Sequence, residues 1–89
     1  MTMTGPRPAL PFVQVARVIA GALRIEPARV TPCATLTTDL ACDSLDRQTI
    51  AADLDTTFGI EIPDDDISEW RTALDAARSV ARLAARQVA

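Results

Sequence analysis

A chain of 89 residues holds one domain with a modest core. Its 48% apolar content leans on alanine, with Phe12, Phe58 and Trp70 as the only aromatics, a composition that favours helices over a β-sandwich. The complete lack of histidine excludes Ser-His-Asp and Cys-His nucleophile pairs and histidine-ligated zinc, and two cysteines cannot build a four-thiolate metal site. The net charge of −3 hides a segregation: Asp39 to Glu69 holds ten acids against Arg47 alone, while the flanks hold the other eight arginines against Glu26 and Asp75, which argues against nucleic acid and for partners with basic patches.

Residues 1–10, with Gly5, Pro6 and Pro8, read as a flexible leader, and 11–89 as the folded domain. No apolar run approaches the roughly 20 residues that cross a bilayer, so the chain is expected to be cytoplasmic and not membrane-spanning. The first helix is predicted over Phe12 to Leu23. Phe12, Val15, Ile19 and Ala22 or Leu23 share one face, Gln14 and Arg17 point away, Pro11 suits the first helical position, and Pro27 sets an outer limit. Glu26 to Cys42 reads as a long connecting loop, because Pro27, Pro32 and Thr35-Leu36-Thr37-Thr38 argue against regular structure. Ile25, Val30, Leu36 and Leu40 would pin it beneath the helices. Cys33 and Cys42 read as two reduced thiols.

Asp43 reads as the N-cap of a second helix, with Asp46 three residues on completing a short-armed capping box. Leu45, Ile50, Leu54 and Phe58 are assigned to its core-facing side, and Gly59 supplies the left-handed stop. Ile60 to Pro63 alternates like a strand but has no partner, so it reads as an extended link. Asp64 to Glu69 is expected to form one short helical turn. Thr72 and Asp75 form another capping pair, opening a last helix through Leu74, Ala77, Val80, Ala81, Ala84 and Val88. The expected fold is all-α: a four-helix bundle of three longer helices and one short helix, with a long loop between the first and second.

Ser44 follows the predicted N-cap and lies in the first helical turn, beside N–H groups that have no intrahelical acceptor. That end of a helix favours a negatively charged substituent such as a phosphodiester. Its hydroxyl is expected to be exposed, since Leu45 beside it is assigned inward. No histidine or lysine exists to activate it. A serine that is well presented but cannot act as its own nucleophile suits modification by another enzyme, although a serine at a helix start reads first as a capping residue. Asp64-Asp65-Asp66 lacks the alternating ligands and central glycine of a calcium loop.

The stretch Leu40-Ala41-Cys42-Asp43-Ser44-Leu45-Asp46 resembles the Leu-Gly-Ala-Asp-Ser-Leu-Asp signature of acyl carrier proteins. Phe58-Gly59-Ile60-Glu61-Ile62-Pro63-Asp64 is similar to that family's Phe-Gly-Ile-Glu-Ile-Pro-Asp segment, at the family's spacing from the serine. The resemblance extends over roughly Phe12 to Leu83. It implies that Ser44 accepts 4′-phosphopantetheine from coenzyme A through a separate phosphopantetheinyl transferase, and that the arm carries an acyl group as a thioester. It further implies that Asp43, Leu45 and Asp46 help enzymes dock. Asp53, Asp55, Glu61, Asp64, Asp65 and Asp66 would pair with basic patches on acyl-loading and acyl-transfer enzymes. Leu54, Phe58 and Ile62 would line an acyl pocket, and the protein would be a non-catalytic carrier, monomeric on its own. Departures from the family pattern are Ala41-Cys42 for Gly-Ala, Arg47 as a base beside the site, Gln48-Thr49 for Val-Glu, Ala52 for Met and Thr56-Thr57 for Glu-Glu. Cys42 reads as a small buried stand-in. The other changes leave the partner-reading face less acidic and less apolar, which implies a specialised carrier serving one lipid or polyketide pathway. A peptidyl or aryl carrier of a non-ribosomal assembly line, and an arm-less acidic interaction module of the same fold, stay open as alternatives.

Overall fold

A computed structural model describes residues 11–87, so the leader assigned to 1–10 and the helix position Val88 lie outside the described residues. Helix α1 spans Phe12–Leu23 and buries Val15, Ala16, Ile19 and Ala20; of the predicted inner face Val15 and Ile19 are fully buried, while Phe12, Ala22 and Leu23 pack half-buried against the core. Pro11 is its N-cap, one position earlier than expected. Arg24 ends the helix in the left-handed conformation at φ 60°, its N–H turned back to the carbonyls of Ala20 and Gly21, so α1 stops three residues short of Pro27.

The connecting segment is irregular, as expected, but it holds two features that residue types did not reveal. Pro27–Arg29 forms one 3₁₀ turn, and Thr35 makes an isolated antiparallel bridge with Thr72. Around that bridge the Leu36 N–H donates to Arg71 O at 2.9 Å, and the Ala73 and Leu74 N–H groups donate to Ala34 O and Pro32 O at 3.0 and 3.1 Å. The loop is thus laced to the start of the last helix, and the orphan donors of that helix are met by loop carbonyls. Val30, Leu36 and Leu40 are buried and Ile25 packs against the core, the pinning expected of them.

Helix α2 spans Ser44–Phe58, α3 Asp64–Glu69 and α4 Ala73–Gln87. No strand beyond the isolated bridge forms among the described residues, in accord with the all-α expectation. Within α2, Ile50, Ala51 and Leu54 are buried and Phe58 packs half-buried against them. One assignment is overturned: Leu45, placed on the core-facing side by its apolar character, is 73% exposed. The inner stripe of α2 runs through Ile50 and Leu54. Leu45, five residues before Ile50, is turned well away from that stripe at 100° per residue. Gly59 closes α2 at φ 65°, in the left-handed region as predicted. The Ile60–Pro63 link has no regular secondary structure and no strand partner among the described residues, with Pro63 extended and Ile60 and Ile62 buried. Helix α4 buries Ala73, Ala76, Ala77, Ser79 and Val80. Thr72 and Asp75 form the predicted cap: Asp75 Oδ2 accepts from the N–H groups of Arg71 (2.8 Å) and Thr72 (3.1 Å), and Thr72 Oγ1 accepts from Asp75 N–H. The buried Trp70 between α3 and α4 donates from Nε1 to Ser79 Oγ at 2.9 Å, which satisfies both buried polar groups at once.

Candidate functional site

The site is built from the N-terminus of α2. Asp43 has extended backbone. Its Oδ1 accepts from Asp46 N–H at 2.8 Å, and Asp46 Oδ2 accepts from Asp43 N–H at 3.2 Å, so both halves of the predicted box form. The first helical backbone bond runs from Arg47 N–H to Asp43 O at 3.1 Å. The N–H groups of Ser44 and Leu45 meet no acceptor among the described residues. The Ser44 side chain is exposed at the first helical position. An exposed hydroxyl beside two unpaired N–H groups at the positive end of a fifteen-residue helix fits a phosphodiester in both hydrogen-bonding capacity and charge.

The approach to Ser44 is set by the residues before it. Ala41, where the carrier signature has glycine, adopts φ 55°, in the left-handed region. Cys42 follows with its side chain buried and its N–H donating to Leu36 O at 2.8 Å. Burial foremost, and then the carboxylate of Asp46, push the Cys42 thiol up from its ordinary pKa against the opposing pull of Arg47. A protonated, buried thiol is a poor nucleophile and fits the expected packing role. Cys33 is exposed, and neither cysteine is in a disulfide.

Beside Ser44 lies an open groove of about 400 Å³, with Ser44, Arg47 and Gln48 on the α2 side and Asp64, Asp65, Ile67 and Ser68 on the α3 side. Arg47, expected as a base beside the site, lies on this groove with its guanidinium engaged within the fold. Its Nη1 donates to Ile67 O (3.1 Å) and Trp70 O (2.8 Å), and its Nη2 donates to Thr37 Oγ1 (3.2 Å). Ile67 and Ser68 on the groove were not singled out by motif or charge, and Gln48 was marked only as a departure from the family pattern. The only sequence sign of Ile67 and Ser68 is their place one or two turns from the landmarks.

The acidic residues separate into two sets. Asp53, Glu61, Asp64 and Asp65 are exposed. Asp55 is half-buried and its Oδ1 accepts from Ile62 N–H at 2.9 Å, holding the link after α2. Asp66 pairs with Arg82 of α4, its side chain 17% exposed. Leu54 is fully buried, Ile62 nearly so, and Phe58 half-buried, all three in the hydrophobic core. Among the described residues no cluster of side chains is suited to hold a metal ion, and no helix is long and apolar enough to cross a membrane.

Residues 13–85 match the family described as the phosphopantetheine attachment site. The chain is 36% identical over 62 residues to an acyl carrier protein of Thermosynechococcus vestitus, covering 70% of this chain and 76% of that one. It is 33% identical over 69 residues to the meromycolate extension acyl carrier proteins of Mycobacterium leprae and Mycobacterium tuberculosis, covering 78% of this chain and 60% of each of those.

Proposed function

We infer the working role of this chain from its family: it belongs to the family defined by the phosphopantetheine attachment site, and it is a carrier of acyl intermediates on that cofactor. We assign the attachment to Ser44. The observation that carries the assignment is the exposed hydroxyl at the first position of α2, next to the unpaired N–H groups of Ser44 and Leu45. With no histidine and no lysine in the chain, the proton of Ser44 Oγ leaves to a base on a separate transferase. A bond forms between Oγ and the phosphorus that bears the pantetheine arm while the pyrophosphate link of coenzyme A breaks, and 3′,5′-adenosine bisphosphate leaves with the bridging oxygen. When bound, the arm supplies a terminal thiol that holds the acyl group as a thioester. The chain itself orients and presents, and in this reading it is non-catalytic, works in the cytoplasm and is monomeric on its own.

Partner recognition is assigned to the residues that stand out around Ser44. The exposed side chain of Leu45 gives an apolar contact, and Asp43 and Asp46 keep negative charge beside it while capping the helix. Asp53, Glu61, Asp64 and Asp65 are the carboxylates best placed to meet basic patches on acyl-loading and acyl-transfer enzymes. Asp55 and Asp66, engaged within the fold, have a smaller share. Gln48, Thr49, Ala52, Thr56 and Thr57, the positions that depart from the family pattern, are all exposed on α2. Their exposure supports a client enzyme that reads this surface specifically, in a specialised lipid pathway such as the one named for the mycobacterial relatives. Leu54, Phe58 and Ile62 are the inner wall that an acyl chain would reach.

Incubation of the protein with coenzyme A and a promiscuous phosphopantetheinyl transferase is expected to add the mass of one arm to the intact chain. Ser44→Ala is expected to abolish the addition. Labelling that survives the substitution would overturn the assignment, and a wild-type chain that accepts no arm would favour the arm-less interaction module.

A further inference from the structure

Helix α3 has six residues, too few to hold its own conformation in water. Three acids occupy its first turn, where the helix dipole favours them, and Ile67 anchors it in the core. Its C-terminal end is met by Arg47, whose Nη1 reaches both Ile67 O and Trp70 O while Nη2 reaches Thr37 in the long loop. One guanidinium therefore ties α2, the end of α3 and the loop together, through two partly buried charge-assisted bonds and a third to a hydroxyl. No other side chain among the described residues hydrogen-bonds across from α2 to α3, whereas α3 is joined to α4 by the Asp66–Arg82 pair. Arg47 also lies on the groove beside Ser44, which opens between α2 and α3. An acyl chain entering from Ser44 would pass between these helices to reach Ile67, Ile62 and Leu54 in the buried cluster behind.

We propose that Arg47 is a latch that holds α3 closed on α2 and thereby sets how deeply this carrier shelters its cargo. Short acyl groups are presented outside the groove, and longer chains are kept from the core unless the Arg47 bonds to the α3 carbonyls break. Arg47 is a positioning residue, acting through α3 and not by touching the thioester. The effect on cargo rests on the carrier reading above; the hold on α3 does not.

Two measurements on the full chain test the latch. In the protein without an arm, hydrogen exchange of the α3 amides is compared between wild type and Arg47→Met, which keeps an apolar stem and removes the donors. Loss of two charge-assisted bonds is expected to raise α3 exchange at least about tenfold, with the amides of α4 unchanged. In the loaded protein, hydroxylamine cleavage of an octanoyl thioester is compared with that of an acetyl thioester. The wild type is expected to release both at similar rates, and Arg47→Met to slow octanoyl cleavage by roughly threefold or more relative to acetyl, since burial of the longer chain removes apolar area from water. If Arg47→Met does not fold, judged by its α4 amides, Arg47→Lys carries the test, with the same directions and smaller effects. Unchanged α3 exchange overturns the latch, as does an octanoyl-to-acetyl ratio that does not move. A chain that takes no arm defeats the carrier reading alone, because the exchange measurement needs none.

Discussion

At Ala41 the backbone turns through φ 55° two residues before the Asp43 cap, and an alanine there pays a steric penalty that glycine escapes. Left-handed geometry costs an L-residue about 1–2 kcal/mol. Glycine would relieve that strain but would also free the unfolded chain, which offsets about 0.4–1 kcal/mol. Ala41→Gly is therefore expected to stabilise the fold by about 0.5 kcal/mol, seen as a higher urea midpoint at unchanged slope. A lower midpoint would mean that Ala41 makes a contact worth more than its strain. Leu45 teaches a related lesson. Its apolar side chain is 73% exposed immediately beside the serine, so an apolar residue type does not by itself assign a helix position to the core.

Among the elements, α2 and α4 share one device at their starts: an acid or hydroxyl at the cap and an aspartate three residues on. At α4, Asp75 holds three roles at once, accepting from the N–H groups of Arg71 and Thr72 while its own N–H is capped by Thr72 Oγ1. The Arg71 N–H bond foremost, followed by those of Thr72 and the nearby charge of Arg78, holds the Asp75 carboxyl below the usual carboxylate range against the opposing effect of partial burial. A group whose pKa is lowered by folding contributes stability above its unfolded pKa and loses it as the pH falls through the folded value. Asp75→Asn is expected to cost about 1 kcal/mol at neutral pH, measured by urea unfolding, and the gap from wild type should close on acidification below the carboxylate range. A gap that widened in acid would contradict this sign. Because the same segment carries the Thr35–Thr72 bridge, Asp75 also steadies the loop that leads towards Ser44.

Across the whole molecule the charge is divided by sequence region. Asp39 to Glu69 carries ten acids and Arg47, whose guanidinium is committed to carbonyls of the fold. The exposed carboxylates of α2, the link and α3 are left as an acidic surface, with Asp64 and Asp65 on the groove beside Ser44, and such a field acts over about 10 Å at 0.1 M salt. The KM of a phosphopantetheinyl transferase for this protein is expected to rise several-fold between about 50 and 500 mM NaCl, with kcat little changed. A KM indifferent to salt would assign recognition to Leu45 and the uncharged surface of α2.

Much of this was legible from residue order, because it depends on local chemistry. Periodic apolar positions placed α1 and α4, the two aspartate boxes and Gly59 marked where helices start and stop, and the motif around Ser44 named the family. Those features act within four residues along the chain, so a linear reading captures them. Leu45 was misjudged because its apolar character was read without its angle from the Ile50 and Leu54 stripe, and the partners of Arg47 could not be read because Ile67 and Trp70 lie 20 and 23 residues further on. The Thr35–Thr72 bridge, the Asp66–Arg82 pair and the hold of Arg47 on Ile67 and Trp70 join residues from 16 to 37 positions apart. Contacts of that reach exist only once the helices have docked, since no local propensity encodes which distant carbonyl a guanidinium will find.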